Sequence, residues 1–226
     1  MFIGILAPIA VVAVIAVAVV LFLQRGAAGL DTSPRGLLRL YLYLGSLVSI
    51  LVLVFGLSAT LTGVIGSISP DFAFGTPPAA RPALPPGAPP EAVARFGERP
   101  SPQEQNERRT RESLLQGITS AVAGLLFWAV HRYGRRQLET ADERVSLIRR
   151  GYYLSGVVIF GIASIILLPV AIYNVLRYFL IPVGQFDFRP GAGDPLAGAL
   201  AVVPAWLIYL SIVLRELRAT RAAPIS

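Results

Sequence analysis

The chain has 226 residues, of which 54% are hydrophobic and only 15% charged, whereas a soluble domain carries about 25% charged residues. Its formal charge of +7 rests on 20 basic residues, all of them arginine, against 13 acidic ones, and it has no cysteine and one histidine. That inventory excludes disulfides, thiolate zinc sites, iron–sulfur clusters and a cysteine nucleophile, and it excludes a haem held by two histidines of one copy.

Residues 2–23 carry no charge and are long enough to cross a hydrocarbon core that needs about 20 apolar residues. A cleaved leader would open on basic residues and have a shorter apolar run, so residues 1–24 read as a retained N-terminal anchor. The second span falls within 35–68. DTSPRG precedes it, with Ser33 placed to cap and Pro34 to take the first helical position. Residues 69–101 then form a proline-rich outer loop. Its TPPAARPALPPGAPP, 76–90, holds seven prolines in fifteen residues and favours extended, semi-rigid conformations. Such a loop serves as a plain connection, a spacer, or a strap across a partner subunit.

SPQE at 101–104 has the spacing of a capping box. It predicts one helix over 102–138, polar for its first three turns and apolar over 114–130, with Glu104 and Arg108 spaced to pair. The fourth element, 141–181, opens on a second such spacing at Thr140 and Glu143, and Pro169 inside it predicts a kink. The fifth, 194–218, is expected to start with Asp194 as cap and Pro195 behind it. The fold class is therefore all-α: a polytopic membrane protein of about five spans. Unbroken apolar runs of this length do not fit the alternating strands of a barrel.

The charges set an orientation. Arg25, Arg35 and Arg39 follow the first span. Six arginines occupy HRYGRRQLETADERVSLIRR, 131–150, and Arg215, Arg218 and Arg221 follow the last span. All three groups share one side, which the positive-inside rule assigns to the cytoplasm. The N-terminus is then outside the cell membrane and the C-terminus inside. Arg108, Arg109 and Arg111 disagree, interleaved with Glu104, Glu107 and Glu112 on the outer side. The 131–150 stretch reads as a loop against anionic lipid head groups. No nucleic-acid-binding module surrounds it, so nucleic acid is not an expected partner.

An internal echo organises the spans. LLRLYLYLGS, 37–46, resembles LIRRGYYLSG, 147–156, and LLFWAVH, 125–131, resembles VPAWLIY, 203–209. Trp128 aligns with Trp206 and His131 with Tyr209. Each unit is a helix pair with an Arg/Tyr head, and both point the same way: a parallel duplication expected to form a compact four-helix bundle, with residues 2–23 peripheral. Arg39, Tyr41, Tyr43, Trp128, Arg149, Arg150, Tyr152, Tyr153, Trp206 and Tyr209 read as interfacial anchors.

The stretches RLYLYLGSLVSILVLVFGL, WAVHRYGRR, ERVSLIRRGYYLSG and AVVPAWLIYLSIV resemble an uncharacterised family of bacterial integral-membrane proteins, domain of unknown function 5671. The resemblance runs from about Arg35 to Arg218. It implies duplicated Arg/Tyr-headed helix pairs, the second helix often ending in His-Trp, and a membrane address, but no activity. The chain departs from that pattern where His131 is followed by Arg132.

Chemistry-bearing residues are sparse. His131 is the one candidate cofactor residue, for a single-histidine haem or pigment site, although a histidine at a helix C-terminus equally serves as an interfacial cap. Residues 40–68 and 114–130 carry no acidic residue, arginine or histidine, which argues against a pump or ion-coupled carrier. No metal-ligand cluster, GxSxG or phosphate-binding glycine motif is found, so neither enzymatic activity nor a metal is expected. Asp187 and Asp194 are placed to form a small polar site on the outer side. Gly117 and Ala121, Ser120 and Gly124, and Ala197, Ala201 and Ala205 repeat at four-residue intervals, which permits close helix packing, within the chain or against a partner.

The resulting expectation is a non-catalytic accessory or scaffolding subunit among other integral-membrane subunits and lipids, an energy-transducing complex being one context. One alternative is a homo-oligomeric channel lined by Ser49, Thr60, Thr119 and Ser120. The other is a pigment-binding module at His131.

Overall fold

The computed structural model describes residues 33–76, 101–138, 147–182 and 189–222. The N-terminal anchor 1–24, most of the proline-rich loop, the Thr140/Glu143 box and Asp187 lie outside the described residues.

Helix α1, Pro34–Ile68, opens where the Ser33 hydroxyl accepts the Gly36 N–H at 3.1 Å. It closes with the Ser69 N–H on the Ile65 carbonyl at 2.8 Å. One further turn, α2 (Pro70–Phe74), ends at Gly75, whose φ of 86° lies in the left-handed region that a side chain disfavours. This bend aims Gly75–Thr76 (β1) antiparallel to Arg189–Pro190 (β2), pairing Gly75 with Pro190 and Thr76 with Arg189.

Helix α3, Pro102–Leu138, is continuous from its polar start through its apolar span. The box at its head is reciprocal: Ser101 N–H donates to Glu104 Oε2 at 3.0 Å, and Glu104 N–H donates to Ser101 Oγ at 3.2 Å. With Glu104 engaged there, the ion pair on this exposed segment is Glu107–Arg111, at 3.7 Å.

Helix α4, Leu147–Leu180, passes through Pro169, and α5, Gly193–Ala222, passes through Pro204. The start of α5 differs from expectation. The Leu196 N–H bonds the Ala192 carbonyl at 3.2 Å, so Ala192 stands where Asp194 was expected, and Asp194 lies in the first turn. The cause is tertiary. The Ala192 N–H bonds the Phe72 carbonyl at 2.7 Å, and Gly191 and Gly193 press against Ala73, so the chain turns into helix as soon as it leaves the ladder.

The four long helices are each long and apolar enough to cross a membrane. At 1.5 Å per residue they exceed the hydrocarbon core by several turns. They form an all-α polytopic bundle in which α1 packs along α3, α4 packs along α5, and the pairs meet mainly where α1 touches α5. The centre of that meeting is a core of Tyr43, Leu47, Val54, Tyr152, Phe160, Val202 and Tyr209. α3 sits at the edge: only 11% of its apolar window is buried, against 39% for α4 and α5.

Candidate functional site

The arginine-rich end of the bundle holds the densest polar and aromatic cluster. Tyr43 and Tyr152 face each other with ring centroids 5.4 Å apart, and the Tyr152 and Tyr209 hydroxyls are hydrogen-bonded at 2.8 Å. Arg135 reaches in from α3, its guanidinium carbon 4.9 Å from the centroids of both the Tyr43 and Tyr152 rings. Beside them Arg149 donates to Glu216 at 3.0 Å, tying α4 to α5, and lies 5.7 Å from the Tyr153 ring. Three of the four long helices thus converge on Tyr152 through side-chain contacts with Tyr43, Arg135 and Tyr209, and Tyr152 itself belongs to the fourth.

Three of the tyrosines expected as interfacial anchors face inward in the bundle. Tyr43, Tyr152 and Tyr209 are 5%, 6% and 5% exposed and belong to the core. Helix phase separates them from their neighbours. Tyr41, two positions from Tyr43, is turned by about 200° and is 60% exposed, while Tyr153 is half-buried at the core margin. Among the remaining anchors, Arg150 is exposed, Arg39 and Trp128 are half-buried, and Trp206 packs on the core beside Gly161. Arg132 lies over Trp128 at 5.4 Å.

His131 packs into the contact between α3 and α1. Nδ1 is 2.7 Å from the Phe127 carbonyl of its own helix, which makes that nitrogen the donor. Nε2 rests on Gly45, where a Cβ would overlap it. Tyr41 covers the ring at 5.5 Å. Gly156 stands in the same relation to Tyr209, whose ring a Cβ at that position would strike.

The small residues of α3 line its crossing with α1. Gly117 meets the Thr60 backbone, Gly124 meets Leu53 and the Ser49 carbonyl, and Gly56 meets Ser120 and Ala121. On α5, Ala197 and Ala201 are buried and Ala205 packs against the core. The hydroxyls considered for a permeation path do not share a surface. Ser49 donates to Gly45 O at 2.6 Å and Thr60 to Gly56 O at 2.8 Å, each within its own helix. Ser120 lies in the α1–α3 contact, and Thr119 is exposed.

At the opposite end Asp194 lines an open cleft of about 290 Å³ with Arg109, Glu112, Ser113 and Gln116. Close by, Phe72 packs on Tyr178 at 5.0 Å and Arg189 lies over the Tyr178 ring at 4.6 Å. Sequence reasoning missed the inward role of Arg135 and the Arg149–Glu216 pair. Arg135 carries a usable signal, since it follows His131 by four residues and so continues the face that meets α1. Among the described residues no group of three or more His, Cys, Asp or Glu side chains is placed to hold a metal ion.

No curated protein and no solved structure matches the chain. A family model does match, over residues 92–222. The matched segment takes in α3, α4 and α5 and begins after α1, whereas the sequence motifs suggested a start near Arg35. With more than half of its length matched, this membrane protein belongs to the family described as domain of unknown function DUF5671.

Proposed function

We propose that the protein is a non-catalytic accessory or scaffolding subunit of a membrane complex, built from two helix pairs that arose by duplication. The carrying observation is the Arg135–Tyr43–Tyr152–Tyr209 junction. Arg135 and Tyr43 of one pair both lie on Tyr152 of the other, and the Tyr152–Tyr209 hydrogen bond ties the second pair together. α3 supports the same reading: it packs chiefly on α1 and carries a polar extension past the membrane boundary, which leaves a long edge for a neighbouring subunit. The duplication is supported by His131 and Tyr209, which align in the internal echo and each rest on a glycine of the partner helix, Gly45 and Gly156, one place out of register with each other. The positive-inside rule places the junction at the cytoplasmic face of the cell membrane, with the α2–β1–β2 end outside.

The test is purification from the native membrane in mild detergent, followed by mass spectrometry of what stays bound. Stoichiometric integral-membrane partners are expected. A lone chain or a self-oligomer that stays folded would shift the assignment to the channel, a reading that the self-directed hydroxyls of Ser49 and Thr60 disfavour. A visible absorption band from a stoichiometric pigment would revive the His131 module, which the packing of its ring into the α1–α3 contact disfavours.

A further inference from the structure

We propose that Arg135 is the centre of a binding site for the phosphate head group of an anionic phospholipid. Among the described residues no carboxylate pairs with Arg135. Its Nε is buried and has no acceptor, and the ion pairs among the described residues join Arg149 to Glu216 and Arg111 to Glu107, not Arg135 to a carboxylate. A guanidinium drawn out of bulk water is costly unless charge is returned to it. The Tyr43 and Tyr152 faces, each 4.9 Å away, return part of it through their quadrupoles. The ring centroids are themselves 5.4 Å apart, so the guanidinium lies against one side of the tyrosine pair, where two ring faces cannot satisfy the five N–H donors of its fork. That fork matches two oxygens of one phosphate.

The surroundings select an anion. Arg39 stands one turn before Tyr43 on α1, Arg132 lies one turn before Arg135, and Arg136 follows directly, so the local field is positive. The level selects a lipid. Arg135 lies one turn beyond the last apolar residues of the α3 span and beside tyrosines that close the spans of α1, α4 and α5, which is the depth of the head groups. Deeper in the span and about two turns before Arg135 on the same helix, Phe127 is 60% exposed and gives acyl chains an apolar surface below a phosphate held at Arg135.

The experiment uses the full chain in mild detergent, with native mass spectrometry and lipid titrations. The probes are phosphatidylglycerol, phosphatidylcholine and inorganic phosphate. The wild type is expected to hold phosphatidylglycerol about tenfold tighter than phosphatidylcholine. Arg135→Gln should lose that preference, whereas Arg218→Gln, at an exposed arginine of α5 outside the cluster, should keep it within about twofold. These factors correspond to roughly one charge-assisted contact. Equal retention by wild type and Arg135→Gln overturns the site. Displacement of the lipid by millimolar inorganic phosphate overturns the lipid as its occupant and leaves a site for free phosphate. Should Arg135→Gln fail to fold, Arg135→Lys, which keeps the charge and loses the fork, is expected to lower the preference about threefold, and an unchanged preference would again overturn the proposal.

Discussion

Gly124→Ala tests whether α1 and α3 approach as closely as their small residues allow. A Cβ at Gly124 would lie 2.5 Å from Leu53 N, 2.8 Å from Leu53 Cα and 2.9 Å from Ser49 O, against 3.4 Å at the lower edge of ordinary contact. All three neighbours belong to the α1 backbone, so no rotamer change relieves the overlap, and the axes must part by somewhat under 1 Å. A gap of about 0.5–1 Å forfeits roughly a quarter to a half of each contact's attraction along the seam, and overpacking of this kind costs about 1–3 kcal/mol. Alanine would return up to about 1 kcal/mol of helix propensity in water. Less returns in a micelle, where the separated helices remain helical. The expected net loss is about 1–2 kcal/mol. Gly134→Ala is the control: its Cβ meets the mobile Leu42 Cδ2 at 3.0 Å, and its effect should stay within about 0.5 kcal/mol. Unfolding by sodium dodecyl sulfate titration, followed by circular dichroism and by the fluorescence of Trp128 and Trp206, reads both variants. Equal stability of Gly124→Ala and Gly134→Ala would refute the close crossing and free that face of α3 for a partner.

The phenol pair offers a cycle. Tyr209→Phe should cost about 1–2 kcal/mol because it strands the buried Tyr152 hydroxyl, and adding Tyr152→Phe should recover part of that loss, because removing both polar groups is cheaper than leaving one unpaired. A double variant weaker than the sum of the singles, in the same detergent titration, would refute the pairing. Orientation is read by a cysteine at position 136 in this naturally cysteine-free chain. In intact cells it should be protected from an impermeant thiol reagent, and labelling would reverse the inside–outside assignment.

The local grammar was legible. Ser33–Pro34 and the SPQE box announce two helix starts in the residue types that satisfy orphan N–H groups, and both form as hydrogen-bonded caps. The α5 start falls at Ala192 and not at Asp194 because it is not set locally. The Ala192–Phe72 bond and the glycine contacts with Ala73 come from residues more than a hundred positions away. Small-residue spacing revealed that close packing exists, and could not say against what, because an α3 face complementary to Gly56 and Thr60 has the same one-dimensional signature as one complementary to another chain.

The tyrosines show where periodicity stops being informative. In water, a buried helix face is marked by apolar residues against a polar remainder. In a span nearly every position is apolar, so the inward face is marked instead by what lipid would reject. Ser46 and Ser155 are 0% and 2% exposed, and Tyr43 and Tyr152 sit one turn before each of them. Those pairs trace one inward stripe on α1 and one on α4, and Arg135 lies across the place where the stripes meet. A rule that assigns tyrosine and arginine near a helix end to the membrane interface fixes their depth and leaves their azimuth open. The azimuth is set by the partner helix, through contacts such as Gly45 with His131 and Gly156 with Tyr209. The same residue type therefore faces outward at Tyr41 and inward at Tyr43, two positions apart on one helix.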